Sequence, residues 1–260
     1  MSTAPDTAPE NPRESTPQTV VPHTTPLPAA VPSQVTTLVD GFGGRWTTGI
    51  LAAFLQGGDG GDGRAEELGR LDRLAGDGDF GTNITSALDR ARQALEAEPP
   101  QDYRGWLTAV SRGFLGTGGT SGPLFGMFFR DLARCCDTGE PTLAEFSAGL
   151  TAAVATVQRY GKAEVGHKTM VDALVPAART LEAEVAAGSQ AADALARTAD
   201  AAVEGARGTA ALLARRGRAS YVGDVARGVL DPGAAAAAIV LQAASAAQSG
   251  TTVDTGWVTA

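Results

Sequence analysis

Apolar residues recur at helical spacing along most of this 260-residue chain. The clearest example is the series Leu143, Phe146, Leu150, Val154 and Val157. Its steps of 3, 4, 4 and 3 residues place every member on one face of a helix. Alternating apolar and polar positions, which are typical of strands, are scarce. The pattern predicts an all-α protein with helices near 37–56, 63–73, 82–97, 103–116, 123–137, 142–160, 168–187, 190–215 and 233–248.

Glycine and proline pairs such as Pro99-Pro100 and Gly118-Gly119 separate these helices, and no linker divides the stretch 36–250. We therefore expect one helical bundle there. Residues 1–35 differ, because 8 of the 14 prolines lie among the first 33 residues and no helical period is present. This composition predicts a disordered extension over 1–35. The last residues, 251–260, are predicted to form a C-terminal tail.

The charge balance excludes several classes of partner. The chain carries 21 Lys and Arg against 29 Asp and Glu, a net charge of −8, without a basic cluster. This argues against nucleic acid and against an anionic membrane surface, both of which select Lys and Arg. No apolar run is long enough to cross a bilayer. The only cysteines, Cys135 and Cys136, are adjacent, so we expect no disulfide framework and a reducing, cytoplasmic location.

The connection after the second predicted helix is rich in Gly and Asp. Its glycines satisfy GxGxxG, but no strand precedes it, and Asp77 and Asp79 would repel a bare pyrophosphate. An EF-hand is excluded because, in a loop that begins at Asp77, position 5 is Gly81 and position 12 is Leu88 instead of Glu. Asp72 lies two helical turns before Asp79 and can join the loop aspartates. Three carboxylates without Cys or His predict a Mg²⁺ site, with a solvated Asp-Gly turn as the alternative.

Two further connections carry glycine and hydroxyl groups. In 116–123, Thr120 and Ser121 can cap a helix that begins at Pro123, which gives either a phosphate cradle or a flexible loop. The sequence of the connection 161–170 is close to the P-loop pattern GxxxxGK[ST]. His167 is inserted before Lys168 and no strand leads in, so we reject that motif. Both lysines of the chain, Lys162 and Lys168, nevertheless fall in this segment.

The last connection, 215–233, carries clustered arginines. They can bind phosphate, or they can interact with a helix C-terminus. Asp231-Pro232 is typical of an N-cap followed by the first position of a helix.

Taken together, these segments resemble the nucleotide-binding L subunit, or L domain, of dihydroxyacetone kinases. The matching stretches are Leu71-Asp72 with 76–83, 118–126, 161–170, and 217–221 with 231–234, in the family's order. The resemblance covers about 36–250. It implies a single barrel of about eight antiparallel helices with the ligand site in the loops at one end.

The resemblance also assigns roles to residues. It implies that Asp72, Asp77 and Asp79 hold two Mg²⁺ ions, which bind the phosphates of ATP or ADP. Positions matching the family's nucleotide contacts are Phe80, Gly81, Thr82, Asn83, Thr120, Ser121, Gly161, Met170, Arg218, Asp231, Pro232 and Gly233. Two residues depart from the family: Phe80 replaces a frequent His, and His167 replaces a frequent Asp or Glu.

The activity implied by the resemblance is phosphoryl transfer to a small ketone that a separate K subunit holds. The chain would then be a kinase subunit that is inactive without this partner. The phosphoryl donor would be ATP, or ADP rephosphorylated in place by a phosphotransferase-system phosphocarrier. Two alternatives stay open: a kinase subunit for another small ketose or polyol, and a non-catalytic nucleotide-binding regulatory module. The oligomeric state is also open, a homodimer included.

Overall fold

A computed structural model describes residues 36–56, 63–221 and 223–259. These residues form nine α-helices and no strand: α1 (Phe42–Leu55), α2 (Arg64–Ala75), α3 (Phe80–Ala97), α4 (Tyr103–Leu115), α5 (Ser121–Leu132), α6 (Leu143–Gly161), α7 (Val171–Ala186), α8 (Ala191–Gly208) and α9 (Pro232–Ser249). Short 3₁₀ turns are Thr209–Ala211, Arg218–Tyr221, Gly223–Ala226 and Gly256–Thr259. The predicted extension over 1–35 lies outside the described residues, and so does Gly57-Gly58, another glycine pair between predicted helices.

The prediction of an all-α fold is confirmed, and three helix boundaries lie five residues or more from those predicted. α1 begins at Phe42 instead of 37, because Gly41 is left-handed and residues 36–38 run beside 141–143 in an extended pairing. α5 ends at Leu132, five residues before the predicted end. α8 ends at Gly208 instead of 215, where the chain enters the 3₁₀ turn Thr209–Ala211.

The helices form a closed ring. Each helix from α2 to α9 packs against the next, and α2 also contacts α9. α1 lies against α9 and α4. α9 is buried along nearly its whole length, and half of its residues are alanine, which lets its neighbours approach closely. The Trp46 indole N–H of α1 donates to the Val240 carbonyl of α9 across 2.8 Å, which satisfies its one polar atom in the core.

The C-terminal segment packs into the domain. Trp257 and Val258 are buried, and the Trp257 indole donates to the Gln242 side chain of α9 across 3.0 Å. Two residues of the stretch predicted as a tail, Trp257 and Val258, therefore belong to the core. None of the described helices combines the length and apolar character that a bilayer crossing requires.

Candidate functional site

A cavity of about 490 Å³ opens at one end of the ring. Residues from the N-terminal ends of α3, α5, α7 and α9 line it: Phe80 and Asn83, Ser121, Val171, and Pro232 and Gly233. The C-terminal ends of α2 and α6 reach the same cavity through Ala75, Val157 and Gly161. Because successive helices reverse direction, alternate N-termini meet at one end. Four N-termini directed at one space give it a positive potential that favours anions.

The acidic loop forms one wall of this cavity. α2 ends at Ala75, two residues beyond its predicted end, and Gly78 turns the chain back with a left-handed φ of 82°. One oxygen of Asp72 accepts the Phe80 amide N–H across 3.1 Å. α3 therefore begins at Phe80, two residues before its predicted start, and the Phe80 amide is already paired. Asp72 acts in this way as the cap of α3, because the side chain of the N-cap residue Asp79 makes no capping bond.

The charged form of Asp72 is disfavoured in this loop. Burial raises the pKa of Asp72 above its usual range, and the nearby Asp77 carboxylate adds to the rise. Asp77 Oδ2 lies 3.2 Å from the Arg218 guanidinium, which partly neutralises it. Asp72, Asp77 and Asp79 all line the cavity, yet no three Asp, Glu, His or Cys side chains within the described ranges are arranged to enclose an ion. Hard oxygen donors on an open wall suit Mg²⁺, which completes its shell with water and phosphate oxygens.

The glycine-rich loop before α5 forms the facing wall. α5 begins at Ser121, so Pro123 occupies its third position and the predicted start at Pro123 is wrong. Thr120 precedes the helix and makes no side-chain capping bond, which leaves its hydroxyl for another partner. Arg90 of α3 holds the base of this loop, since its guanidinium donates to the Gly116 carbonyl and the Thr117 hydroxyl at 2.9 and 2.7 Å.

The connection between α6 and α7 is fixed by a buried carboxylate. Asp172, in the first turn of α7, accepts the amide N–H groups of Gly166 and Thr169. The His167 ring accepts the Glu164 amide across 3.2 Å, which closes a local turn. Lys168 is buried, with 1% of its surface exposed, and its ammonium donates to the carbonyls of Thr209 and Val229. The backbone of this loop is thus held in place before any ligand binds.

The start of α9 agrees with the sequence prediction. Asp231 is the N-cap, its carboxylate accepts the Ala234 amide N–H across 2.7 Å, and Pro232 follows at the first position. Burial raises the pKa of Asp231 to about 7, against the opposing effects of this hydrogen bond and of the Lys168 charge. At neutral pH the carboxyl is therefore close to its midpoint, and an added cation would favour its charged form.

Most of the predicted site residues line this one cavity: Asp72, Asp77, Asp79, Phe80, Asn83, Thr120, Ser121, Gly161, Met170, Arg218, Asp231, Pro232 and Gly233. Gly81 and Thr82 do not. Gly81 lies where α3 crosses α2, and a Cβ there would overlap the Ala65 carbonyl. Thr82 is exposed outside the cavity wall.

Sequence reasoning missed several lining residues, among them Leu124, Val157, Lys168, Thr169 and Arg216. The pairing of the chain's only lysines in one loop was a signal for Lys168, although it did not indicate burial. Leu124 and Val157 belong to helix ends whose apolar spacing predicts core and does not separate a cavity wall from it.

Three comparisons relate this chain to known proteins. The family model described as the DAK2 domain matches residues 74–246. The D-erythrulose kinase of Mycolicibacterium smegmatis is 37% identical over 178 residues, which cover 67% of this chain and 31% of that protein. The ADP-binding subunit DhaL of PEP-dependent dihydroxyacetone kinase 1 from Listeria innocua is 31% identical over 181 residues, 68% of this chain and 84% of that subunit.

The crystal structure of the dihydroxyacetone kinase from C. freundii in complex with AMP-PNP and Mg²⁺ has a similar fold. It superimposes with a TM-score of 0.58 at 26% identity, over 89% of this chain and 37% of that one. The chain thus spans about a third of the length of this kinase and of the erythrulose kinase, and most of the length of the DhaL subunit.

Proposed function

The chain belongs to the DAK2 domain family, and we propose that it is the Mg²⁺–nucleotide-binding part of a kinase that phosphorylates a small ketone. One observation carries the proposal: a single cavity of about 490 Å³ receives three carboxylates on one wall and four helix N-termini. Its volume lies within the usual range for small-molecule sites. Carboxylates alone would repel a polyphosphate and helix N-termini alone would not retain Mg²⁺, so the combination favours a metal–polyphosphate ligand.

Asp72, Asp77 and Asp79 are the residues that would hold the metal, in the proposal as two Mg²⁺ ions. Mg²⁺ bound there would neutralise charge on the transferred phosphoryl group. The protein residues supply positioning. Asp72 is held by its hydrogen bond with the Phe80 amide, and Asp77 pairs with Arg218. Once a cation binds Asp77, the Arg218 side chain can turn to a phosphate.

The nucleotide would lie between the glycine-rich loop and the start of α9. The Thr120 hydroxyl and the first turn of α5 present donors to phosphate oxygens. Leu124, Val157 and Met170 give the cavity an apolar wall that suits an adenine ring. Gly161, Asn83 and Gly233 line the same cavity.

The acceptor ketone would come from a partner, the K subunit or K domain. Six large apolar side chains are strongly exposed among the described residues: Leu74, Leu115, Tyr160, Val165, Leu213 and Tyr221. All of them lie in, or in the last turn before, the loops at the cavity end. A ring of exposed apolar groups around a ligand site favours a protein that docks over it. The relatives' names include dihydroxyacetone and erythrulose kinases, so a small ketose of either kind fits the proposal.

The phosphoryl donor has two forms under this proposal. ATP would bind, react and leave as ADP, or ADP would stay bound and be rephosphorylated in place by a phosphocarrier of the phosphotransferase system. The retention of bound ADP distinguishes the two forms. ADP that stays bound to the protein during gel filtration supports the second form, and rapid exchange of bound ADP with free nucleotide supports the first.

Calorimetric titration with ADP, with and without Mg²⁺, tests the function directly. We expect binding that requires Mg²⁺ and that Asp77→Asn reduces at least about tenfold, the loss expected for one charge-assisted contact. Asp137→Asn is the matched control, because Asp137 is fully exposed and pairs only with Arg104 outside the cavity. Mg²⁺-independent binding, or full affinity in Asp77→Asn, would refute the metal assignment.

A second assay distinguishes kinase from sensor. Purified chain, a K subunit, ATP and either dihydroxyacetone or erythrulose should yield phosphorylated ketose. Tyr221→Asp should lower this turnover and leave ADP affinity unchanged, because Tyr221 is 86% exposed and is not among the residues that line the cavity. Tight nucleotide binding without turnover, with every K subunit and ketose tried, would favour the regulatory alternative.

A further inference from the structure

Lys168 is a buried cation that the proposed chemistry does not use. It lies in the loop before α7 with 1% of its surface exposed and a left-handed φ of 60°. Its ammonium donates to the Thr209 carbonyl at 2.7 Å and to the Val229 carbonyl at 2.6 Å. A buried ammonium is costly unless it is hydrogen-bonded and close to opposite charge. Here the carboxylates of Asp231 and Asp172 supply that charge.

The two carbonyls are the two ends of one segment. Between them the chain leaves the ring, forms the 3₁₀ turns Arg218–Tyr221 and Gly223–Ala226, and returns to α9. This segment brings Arg216 and Arg218 to the cavity. We call the stretch 210–228 the arginine segment.

Other contacts also hold the base of the arginine segment. The Gly228 amide donates to the Ala210 carbonyl across 2.8 Å, the Arg215 amide donates to the His167 carbonyl across 3.1 Å, and the Asp231 amide donates to the Thr209 hydroxyl across 2.9 Å. The Arg227 guanidinium lies 3.4 Å from the Ala211 carbonyl. Among the described residues, Lys168 is the charged side chain that bonds carbonyls at both ends. Its own loop is held by Asp172. It therefore links a rigid loop to a segment whose helical turns are short.

We propose that Lys168 is a positioning residue: its buried ammonium ties both ends of the arginine segment to the α7 loop and thereby keeps Arg218 over the cavity. The consequence for binding rests on the proposed nucleotide function, whereas the consequence for the segment does not. Without Lys168, the half-buried Val229 carbonyl loses its charged donor, the Thr209 carbonyl keeps only the Leu212 amide, and Asp231 loses a nearby cation. The segment should then move away from the ring.

Lys162 is a matched control. It is the only other lysine, it lies in the same loop, and it also has a left-handed φ, of 48°. It differs in being exposed and in not lining the cavity. Lys162→Met and Lys168→Met thus remove the same side chain at sites that differ in burial and contacts.

Hydrogen–deuterium exchange tests the segment without nucleotide. In Lys168→Met we expect amides of 210–228 to exchange on the order of tenfold faster, with α4 unchanged, since each lost buried bond lowers local stability. Lys162→Met should match the wild type. Unchanged exchange in 210–228, or an equal increase in α4, would overturn the inference. If Lys168→Met does not fold, Lys168→Gln, which keeps two donors on a shorter stem, is measured against the same criteria.

A double-mutant cycle on ADP affinity tests the route through Arg218. Lys168→Met should weaken ADP on the order of tenfold, and the same change in an Arg218→Ala background should have little effect. Additive losses would overturn the positioning role. If the wild type binds no ADP, the proposed function fails, and the exchange experiment alone decides the role of Lys168.

Discussion

Arg218 and Asp77 are 141 positions apart in the sequence and lie 3.2 Å apart across the mouth of the cavity. The guanidinium of Arg218 thus occupies the position of a cation at one of the three carboxylates assigned to Mg²⁺. Metal and arginine cannot both neutralise that oxygen in this arrangement. Ion binding at Asp77 should therefore release Arg218, and the released guanidinium is close to where a phosphate would lie.

Arg218→Ala separates this role from stability. Because the Arg218 side chain is 72% exposed, we expect the free energy of unfolding to change by less than about 1 kcal/mol. ADP affinity should fall about tenfold through the lost charge-assisted contact. Urea denaturation and calorimetry measure the two quantities. Arg92→Ala removes a 47% exposed arginine that pairs within α3, and it should change neither quantity. An Arg218→Ala variant with unaltered ADP affinity would contradict the assignment.

Asp72 caps α3 and is one of the proposed Mg²⁺ ligands, and two substitutions separate these roles. Asp72→Asn keeps an acceptor for the Phe80 amide and removes a carboxylate whose pKa is raised. The free protein should be as stable as the wild type, or up to about 1 kcal/mol more so, while Mg²⁺-dependent binding is lost. Asp72→Ala should instead cost about 1 kcal/mol through the lost cap. Thermal melts with and without Mg²⁺–ADP give both results, and equal stability losses in the two variants would argue against the capping role.

Asp231 makes stability depend on pH. Its pKa rises from 3.8 to about 7 on folding, so between these values the folded state binds more protons than the unfolded state. The free energy of unfolding should therefore decrease as pH rises from about 5 to 7, by at most about 1.4 kcal/mol per pH unit from this group. Above its folded-state pKa this contribution becomes constant.

Asp231→Asn keeps the N-cap and removes the titration. Urea denaturation from pH 5 to 8 should show a flatter profile for the variant, with the largest gain in stability above pH 7. Parallel profiles for variant and wild type would show that Asp231 titrates normally.

Gly81 should act through packing. A Cβ at this position would overlap the Ala65 carbonyl where α3 crosses α2. Gly81→Ala should cost about 1–3 kcal/mol of stability, as overpacking does. Gly118→Ala, in the cavity loop, meets nothing within 4 Å and should stay within about 0.5 kcal/mol of the wild type. Denaturant midpoints compare the two, and a neutral Gly81→Ala would show that the helices can separate at this crossing.

Local chemistry was sufficient to predict much of this protein. Apolar residues at helical spacing predicted the nine described helices, since that spacing alone decides which segments have a face to bury. The N-cap at Asp231 was also predictable, because a cap depends on neighbours in the chain. The three aspartates pointed to a hard cation because their chemistry is independent of the fold.

Contacts between distant segments were decided by the tertiary structure. Asp72 caps a helix that begins eight residues later, Arg218 reaches Asp77, and the Lys168 ammonium binds carbonyls 41 and 61 residues away. From the sequence, Gly81 looks like one more glycine of the loop. In the structure it lies where two helices pack closely. No local pattern encodes these pairings, because they follow from the order in which the helices close into a ring. Sequence periodicity specifies which faces are buried, and only the closed ring specifies which side chains meet at its end.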